Sequence, residues 1–219
     1  MRTIGIRHRR KRTAEGEARP TMVAIKDGEH IAVHELEDDT AELDFVRGIF
    51  PVAWRNVERN GDQGESIAQY QQRHCRWRLV RADEDPAFFP PHHRRQCDDE
   101  RVQVITHVPT EFEGLADGDS VAMLMGGSGD RLAAALSRRG EEVNGLVYRI
   151  PPFTLEDHRG TATKDDDQLT LIRLLEERPQ LFFQLRRRDR DLIQVTEAFR
   201  LRQDAMKARI ACSLRLDRK

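Results

Sequence analysis

Apolar and polar residues alternate in three segments of the first 36 residues, namely 2–8, 21–26 and 29–36. This period of two predicts three β-strands. Asp27-Gly28 between the last two is typical of a tight hairpin turn, because both residues tolerate the backbone angles that such a turn needs. A short helix is predicted next, with Asp39 or Thr40 as its cap and Phe45 and Val46 on its apolar face.

The middle of the chain, residues 51–118, has the least regular pattern. Alternation predicts strands at 76–80 and 102–108, and 66–73 has helical spacing. Three prolines lie between the two strands and oppose regular structure, because proline has no amide donor. The pattern therefore predicts an irregular insertion over 50–118 rather than a second domain.

The last third of the chain has the clearest periodicity. Ser120–Met125 is a continuous apolar run, as expected of a strand buried on both faces. A glycine turn at 126–129, an amphipathic helix at 130–139 ending at Gly140, and a strand at 143–150 are predicted to follow. Helices are then predicted at 165–178 and 189–216. The apolar stripe of the last helix is predicted to contain Leu192, Val195, Phe199, Met206, Ile210 and Leu214.

Charge is distributed unevenly although it nearly balances, with 37 Lys and Arg against 38 Asp and Glu. A net charge of −1 does not by itself favour a polyanionic partner. Cations nevertheless cluster at both ends of the chain, and an acidic block occupies 35–44. This asymmetry indicates either a basic face for a polyanion or charged segments that pair with each other.

The hydropathy pattern predicts a cytoplasmic protein. No apolar run approaches the length of a membrane span, and the basic start lacks the apolar stretch of a secretory signal. The three cysteines are too few and too scattered for a disulfide framework.

Two segments carry a resemblance to a known family. The stretch VAMLMGGSGDRLAAALSRRGEEVNGLVYRIPPF is a strand–glycine–helix–strand segment, and TKDDDQLTLIRLLEERP is a turn followed by a helix. Together they resemble the nuclease half of the DEDD (RuvC-like) bacterial insertion-sequence transposases. The resemblance implies an α/β fold with a ribonuclease H-like mixed sheet, flanking helices and a long C-terminal helix. It implies a ribonuclease H-like domain over 1–180 and a helical C-terminal extension over 181–219.

In that family, four carboxylates hold two Mg²⁺ ions that activate the attacking group for phosphodiester cleavage. The positions that match the four ligands are, in order, Arg7, Met123 or Leu124, Asp166 and Leu169. Lys164 matches the lysine of the family's K-T-D-x-x-D turn. The resemblance therefore implies that one ligand of four is kept and that the site is degenerate, with no catalysis.

Asp165, Asp166 and Asp167 are the candidate catalytic residues, and Asp166 is the candidate metal ligand. Carboxylates are the ligands that Mg²⁺ prefers, so Mg²⁺ is the cofactor expected if the protein is catalytic. Acidic residues in the first turn of a helix also stabilise the helix dipole without any ligand. Both interpretations remain open at this stage.

Two further motifs leave alternatives open. Gly126–Gly129 precedes a predicted helix, so its amides either hold a phosphate or form a tight turn. The alternative cofactor is zinc, which binds nitrogen and sulfur ligands. The spacing of the histidines and cysteines matches no standard zinc finger. Ordinary surface histidines and buried thiols are the other explanation of these residues. The candidate zinc ligands are His74, Cys75, His92, His93 and Cys97.

The candidate contacts to nucleic acid, either DNA or RNA, are cationic. They are Arg9, Arg10, Lys11, Arg12, Lys164, Arg186, Arg187, Arg188 and Arg190. In the resembled family the helical region after the nuclease core contributes to dimer and nucleic-acid contacts, which implies a homodimer. A solvated helix face is the alternative.

The hypothesis that follows is a transposase-related protein that binds nucleic acid as a dimer and has lost its chemistry. A second hypothesis is an active Mg²⁺-dependent nuclease or recombinase that uses the Asp165–Asp167 cluster. A third is a protein-binding module that acts through its C-terminal helix.

Overall fold

The computed structural model of the chain describes residues 2–8, 19–57, 72–97 and 101–216. The cations predicted at 9–12 and residues 66–71 of the helix predicted at 66–73 lie outside the described residues. No helix among the described residues is long and apolar enough to cross a membrane.

The described residues contain ten strands and five α-helices. The strands are β1 (Thr3–Arg7), β2 (Thr21–Asp27), β3 (His30–Leu36), β4 (Phe50–Asn56), β5 (Arg76–Leu79), β6 (Arg94–Gln96), β7 (Val102–Glu113), β8 (Ser120–Leu124), β9 (Leu146–Ile150) and β10 (Phe183–Gln184). The helices are α1 (Asp39–Arg47), α2 (Asp130–Glu142), α3 (Pro152–His158), α4 (Asp167–Glu177) and α5 (Arg187–Leu216).

These elements form two compact units. The first unit combines the residues up to Arg47 with those from Leu115 onward, and the second unit is Gly48–Gly114. The second unit occupies nearly the range predicted as an irregular insertion, but it contains a regular antiparallel sheet in which β4, β5 and β6 pair with the long β7. The segment predicted as a C-terminal extension belongs to the first unit.

The first unit is built on a six-stranded mixed sheet in the order β10-β9-β8-β1-β2-β3. β1, β2 and β3 pair antiparallel, whereas β8 and β9 run parallel to β1. The predicted α/β class with a mixed sheet is therefore confirmed. Because β1, β8 and β9 share one direction, their ends lie at the same side of the sheet, which we name the carboxyl edge.

Helix α4 packs directly on the interior strands β1, β2 and β8. Its apolar side chains, together with Ala122 and Ile150 of the sheet and Leu155 of α3, form a buried cluster. Complete burial of such leucine and isoleucine side chains is worth about 1.5–3 kcal/mol each. The start of α4 is thereby fixed beside the end of β1.

Helix α5 packs on α2 in the opposite direction. Arg190 donates hydrogen bonds to Ser137 Oγ at 3.3 Å and Glu141 Oε1 at 2.7 Å, and Arg131 donates to Glu197 Oε2 at 2.9 Å. The helix continues beyond the start of α2, and every described side chain over 198–213 is exposed. We name 198–216 the helical arm.

The predicted apolar stripe of α5 is exposed. Phe199 and Ile210 are 57% and 53% exposed, and Leu192, Val195 and Met206 are exposed as well. A helix turns about 100° per residue, so the stripe lies on the opposite side of α5 from Arg190 and Glu197. The helix therefore packs on its own unit with the side that carries Arg190 and Glu197.

Two local predictions for the last third are wrong. Gly140 does not end α2, which continues to Glu142. A Cβ at Gly140 would lie 2.6 Å from the Gly145 carbonyl oxygen, so glycine is needed there for close approach. Asn144, with φ of 52°, makes the turn instead, and β9 consequently begins at Leu146 rather than at 143.

Candidate nucleic-acid interface

Arg7 ends the interior strand β1 at the carboxyl edge. Its side chain is 15% exposed, and its Nη1 lies 3.9 Å from Oδ1 of Asp165, which precedes α4. The Nε of Arg7 is buried without a hydrogen-bond partner among the described residues. The structure thus brings Arg7 and the Asp165–Asp167 segment together.

Each acid of the Asp165–Asp167 segment has a partner of its own. Asp165 also forms an ion pair with Arg19, and Asp166 accepts a hydrogen bond from Thr163 Oγ1 at 2.8 Å. Asp167 accepts two hydrogen bonds from Arg159, at 2.7 Å from Nε and 3.1 Å from Nη2. The three carboxylates therefore point to different partners instead of converging on one point.

The pair formed by Arg159 and Asp167 is largely buried, with side chains that are 13% and 7% exposed. The hydrogen bond to Asp167 raises the pKa of Arg159 above its ordinary value, with a smaller opposing effect of burial. Such a two-pronged contact fixes both the position and the orientation of the carboxylate. Asp167 consequently links the loop after α3 to the first turn of α4, which is a structural role.

The other two positions that match the family's metal ligands are apolar. Met123 lies opposite Ile6 in the sheet and is 1% exposed, and Leu124 follows it at the carboxyl edge. Leu169 is on α4, 36% exposed. Within the part of the chain that the structure describes, no group of three or more His, Cys, Asp or Glu side chains is arranged to hold a metal ion.

The glycine turn after β8 is occupied by a carboxylate. Gly126 and Gly127 have φ of 81° and 73°, which explains glycine at both positions. The amide of Gly126 donates to Asp130 Oδ1 at 3.2 Å, and Arg149 pairs with the same carboxylate. The tight-turn interpretation fits this geometry, because Asp130 takes the place that a phosphate would need.

The candidate zinc ligands of the second unit do not form a site. Cys75 packs in an apolar cluster with Val57 and Ile105, and this burial raises the pKa of its thiol to about 11. Burial, together with the neighbouring His92, lowers the pKa of His93. Both shifts are expected of groups that pack in a protein interior.

The predicted basic residues lie at two separate places in the first unit. Lys164 is at the carboxyl edge, where its Nζ lies 3.3 Å from Glu156 Oε1. Arg186, Arg187 and Arg188 are exposed at the start of α5, beside the opposite edge, since Leu185 donates its amide to Val147. The prediction for Arg190 is wrong, because Arg190 is 6% exposed and engaged by α2.

Two arginines of the interface were not predicted as site residues. Arg19 reaches Asp165 across 146 positions of the sequence, and Arg159 reaches Asp167 across eight. No single helix or strand contains both members of either pair, so no local pattern could indicate them.

Comparisons with protein-family models, with curated proteins and with solved structures find no match to this chain.

Proposed function

We propose that this protein is a transposase-related, nucleic-acid-binding protein with a ribonuclease H-like scaffold, in which an arginine occupies the place of the first catalytic acid. The observation that carries the proposal is the position of Arg7, at the end of the interior strand β1 and 3.9 Å from Asp165. The proposal includes a homodimer formed through the helical arm.

The topology of the first unit supports the scaffold. Three antiparallel strands followed by α1 open the unit, and the parallel pair β8 and β9, joined by α2, lies next to β1. This is the order of elements that the resemblance implies. The turn with Lys164 and the helix after it pack beside β1, as the same resemblance requires.

Electrostatics at Arg7 favour a phosphate over a metal ion. Two unit charges 4 Å apart interact with about 4 kcal/mol at an effective dielectric constant near 20. A guanidinium at this position therefore repels a divalent cation strongly. The same planar donor group suits phosphate oxygens. Arg19 and Lys164 lie at the same edge, paired with Asp165 and Glu156.

The arginines at the start of α5 support a second phosphate contact. Three consecutive guanidinium groups, Arg186–Arg188, are exposed there. Cations at a helix N-terminus oppose the helix dipole, so this placement does not stabilise the helix. A bound phosphate would interact favourably with both the guanidinium groups and the helix end.

The helical arm supports the homodimer. Sixteen consecutive residues of the arm, 198–213, are exposed. Isolated helices of this length are marginal in water, because helical stability comes mainly from packing. The stripe that contains Phe199, Met206 and Ile210 provides the apolar surface through which a second copy would complete the packing.

Fluorescence anisotropy with labelled duplex DNA and duplex RNA tests the proposal. We expect binding that weakens steeply as KCl rises, because phosphate contacts release counterions. Lys164→Ala should weaken binding, whereas the matched control Lys26→Ala should not, since Lys26 pairs with Glu176 and belongs to neither of the two proposed groups of phosphate contacts. Absence of binding at low salt would overturn the proposal.

A further inference from the structure

One face of the sheet in the second unit carries arginine and aromatic side chains together. Arg76 and Arg78 are two residues apart on β5 and therefore share a face. Arg94 of β6 shares it too, because Arg78 and Arg94 both lie opposite Val104 of β7. The pairing of β5 with β7 shifts by one residue between Arg76 and Trp77, and the extra residue is on β7. Successive side chains of β5 therefore still point to alternate faces.

Aromatic rings lie against two of these arginines. The guanidinium carbon of Arg76 is 4.2 Å from the ring centre of Trp54, and that of Arg78 is 5.7 Å from the ring centre of Phe89. The neighbouring Phe88 is 84% exposed, the largest exposed fraction among the large apolar side chains of the described residues. Such a face offers flat surfaces as well as positive charge.

The charge of this face is only partly neutralised within the described residues. Arg78 donates two hydrogen bonds to Glu84, which offsets its charge. Arg76 is exposed and, among the described residues, has the ring of Trp54 as its contact and no acidic partner. Arg94 donates to the uncharged carbonyl of Pro86 at 3.1 Å, so its charge also remains.

The opposite face of the same sheet carries an apolar cluster. Val57, Cys75 and Ile105 are buried there, and Trp77 packs against them. Arg95 lies over Trp77 at 4.3 Å and also bonds to Gln103. The Arg95–Trp77 pair therefore belongs to the packing of this unit. It serves as a control for the Arg76–Trp54 pair on the other face.

We propose that the face defined by Trp54, Arg76, Arg94 and Phe88 binds single-stranded nucleic acid. Unstacked bases are flat and stack on aromatic rings and guanidinium planes, and the phosphates between them need cations. An acidic peptide would satisfy the charge but would leave the exposed ring of Phe88 without a partner. The site lies in the second unit and shares no residue with the interface proposed for the first unit.

Tryptophan fluorescence isolates this site, because the chain has two tryptophans and both belong to the second unit. In a Trp77→Phe protein, Trp54 alone reports on the proposed face. We expect saturable quenching by oligothymidylate, which stacks on the Arg76–Trp54 pair. Binding confined to the first unit would change the anisotropy of the labelled nucleic acid and leave the fluorescence of Trp54 unchanged. The two measurements therefore test the two proposals independently.

Substitutions in the Trp77→Phe background complete the test. Arg76→Ala and Phe88→Ala should each weaken oligothymidylate binding about tenfold, within the range known for one stacking contact. Phe88 is so exposed that its replacement leaves the fold intact. Arg95→Ala, on the opposite face, should leave binding unchanged. Absence of quenching, an equal effect of Arg95→Ala, or equal competition by polyglutamate would overturn the proposal.

Discussion

Gly5 and Gln168 approach each other so closely that a Cβ on residue 5 would lie 1.9 Å from the carbonyl oxygen of Gln168. This contact joins the interior strand β1 to the first turns of α4. Because the obstructing atom belongs to a helical backbone, it cannot move aside as a flexible side chain can. Gly5 thereby determines how near the Asp165–Asp167 segment lies to Arg7.

Gly5→Ala should destabilise the protein by at least about 1–3 kcal/mol, because the added methyl forces α4 away from β1. Gly129→Ala is the matched control. Its new Cβ would lie 3.2 Å from the Cβ of His8, a side-chain atom, and its φ of −75° suits alanine. Chemical denaturation of both variants measures the difference, and equal stabilities would contradict the role assigned to Gly5.

Asp167→Asn should lower the free energy of unfolding by about 2 kcal/mol, because the largely buried Arg159 loses its two charged hydrogen bonds and keeps only a looser pair with the exposed Glu156, 3.8 Å away. Asp166→Asn should cost less than about 1 kcal/mol, because it changes one exposed hydrogen bond with Thr163. Urea denaturation compares these adjacent substitutions. A larger loss for Asp166→Asn would show that the two roles have been assigned in the wrong order.

Incubation with Mg²⁺ or Mn²⁺ should leave end-labelled DNA and RNA intact. The acids that would hold the ions have separate partners, and Arg7 adds positive charge among them. Gel electrophoresis of the labelled strands provides the measurement. Metal-dependent cleavage that is lost in Asp166→Ala would instead establish the nuclease hypothesis.

Phe199→Glu should convert the proposed dimer to a monomer, because it places a charge within the exposed stripe of the helical arm. Ala208→Glu is the matched control, since position 208 is about 180° around the helix from 199 and is also exposed. Size-exclusion chromatography with light scattering measures the mass of each protein. A wild-type monomer, or dissociation caused equally by both substitutions, would exclude the arm as the dimer contact.

Cys75 should make stability fall as pH rises. Its pKa is raised to about 11 in the folded state from an ordinary value of 9.0, so between these values the folded chain holds a proton that the unfolded chain has lost. The contribution of Cys75 to the free energy of unfolding is therefore fully present below pH 9 and decreases above it. Comparing wild type with Cys75→Ala isolates this contribution. At neutral pH, iodoacetamide should modify the exposed Cys212 well before Cys75.

The sequence predicted most elements of the first unit because their periodicity is local, but it did not predict α3, Pro152–His158. Ser120–Leu124 and the helix from Asp130 are clear from apolar spacing alone. Strand β4 was not predicted, because FPVAWRN contains a proline and lacks strict alternation. The two-residue strand β10 is shorter than any periodicity can detect.

The arrangement of the site depended on contacts that local pattern cannot contain. The sequence indicated that Arg7 and Asp166 belong together only through the family resemblance. It could not indicate that Arg159 holds Asp167, nor that antiparallel packing on α2 buries Arg190 against Glu141. Both facts follow from the direction in which distant helices dock.

The helical arm also defines a spacing. At about 1.5 Å per residue, 198–216 extends roughly 28 Å beyond the start of α2. If two copies overlap along the whole arm, their carboxyl edges are held apart by a rod of that length. One strand of a double helix advances 3.4 Å per base pair, so the rod matches about eight base pairs. One such dimer would contact two sites on a double helix that are separated by this interval. A change in arm length by whole helical turns would shift the preferred interval.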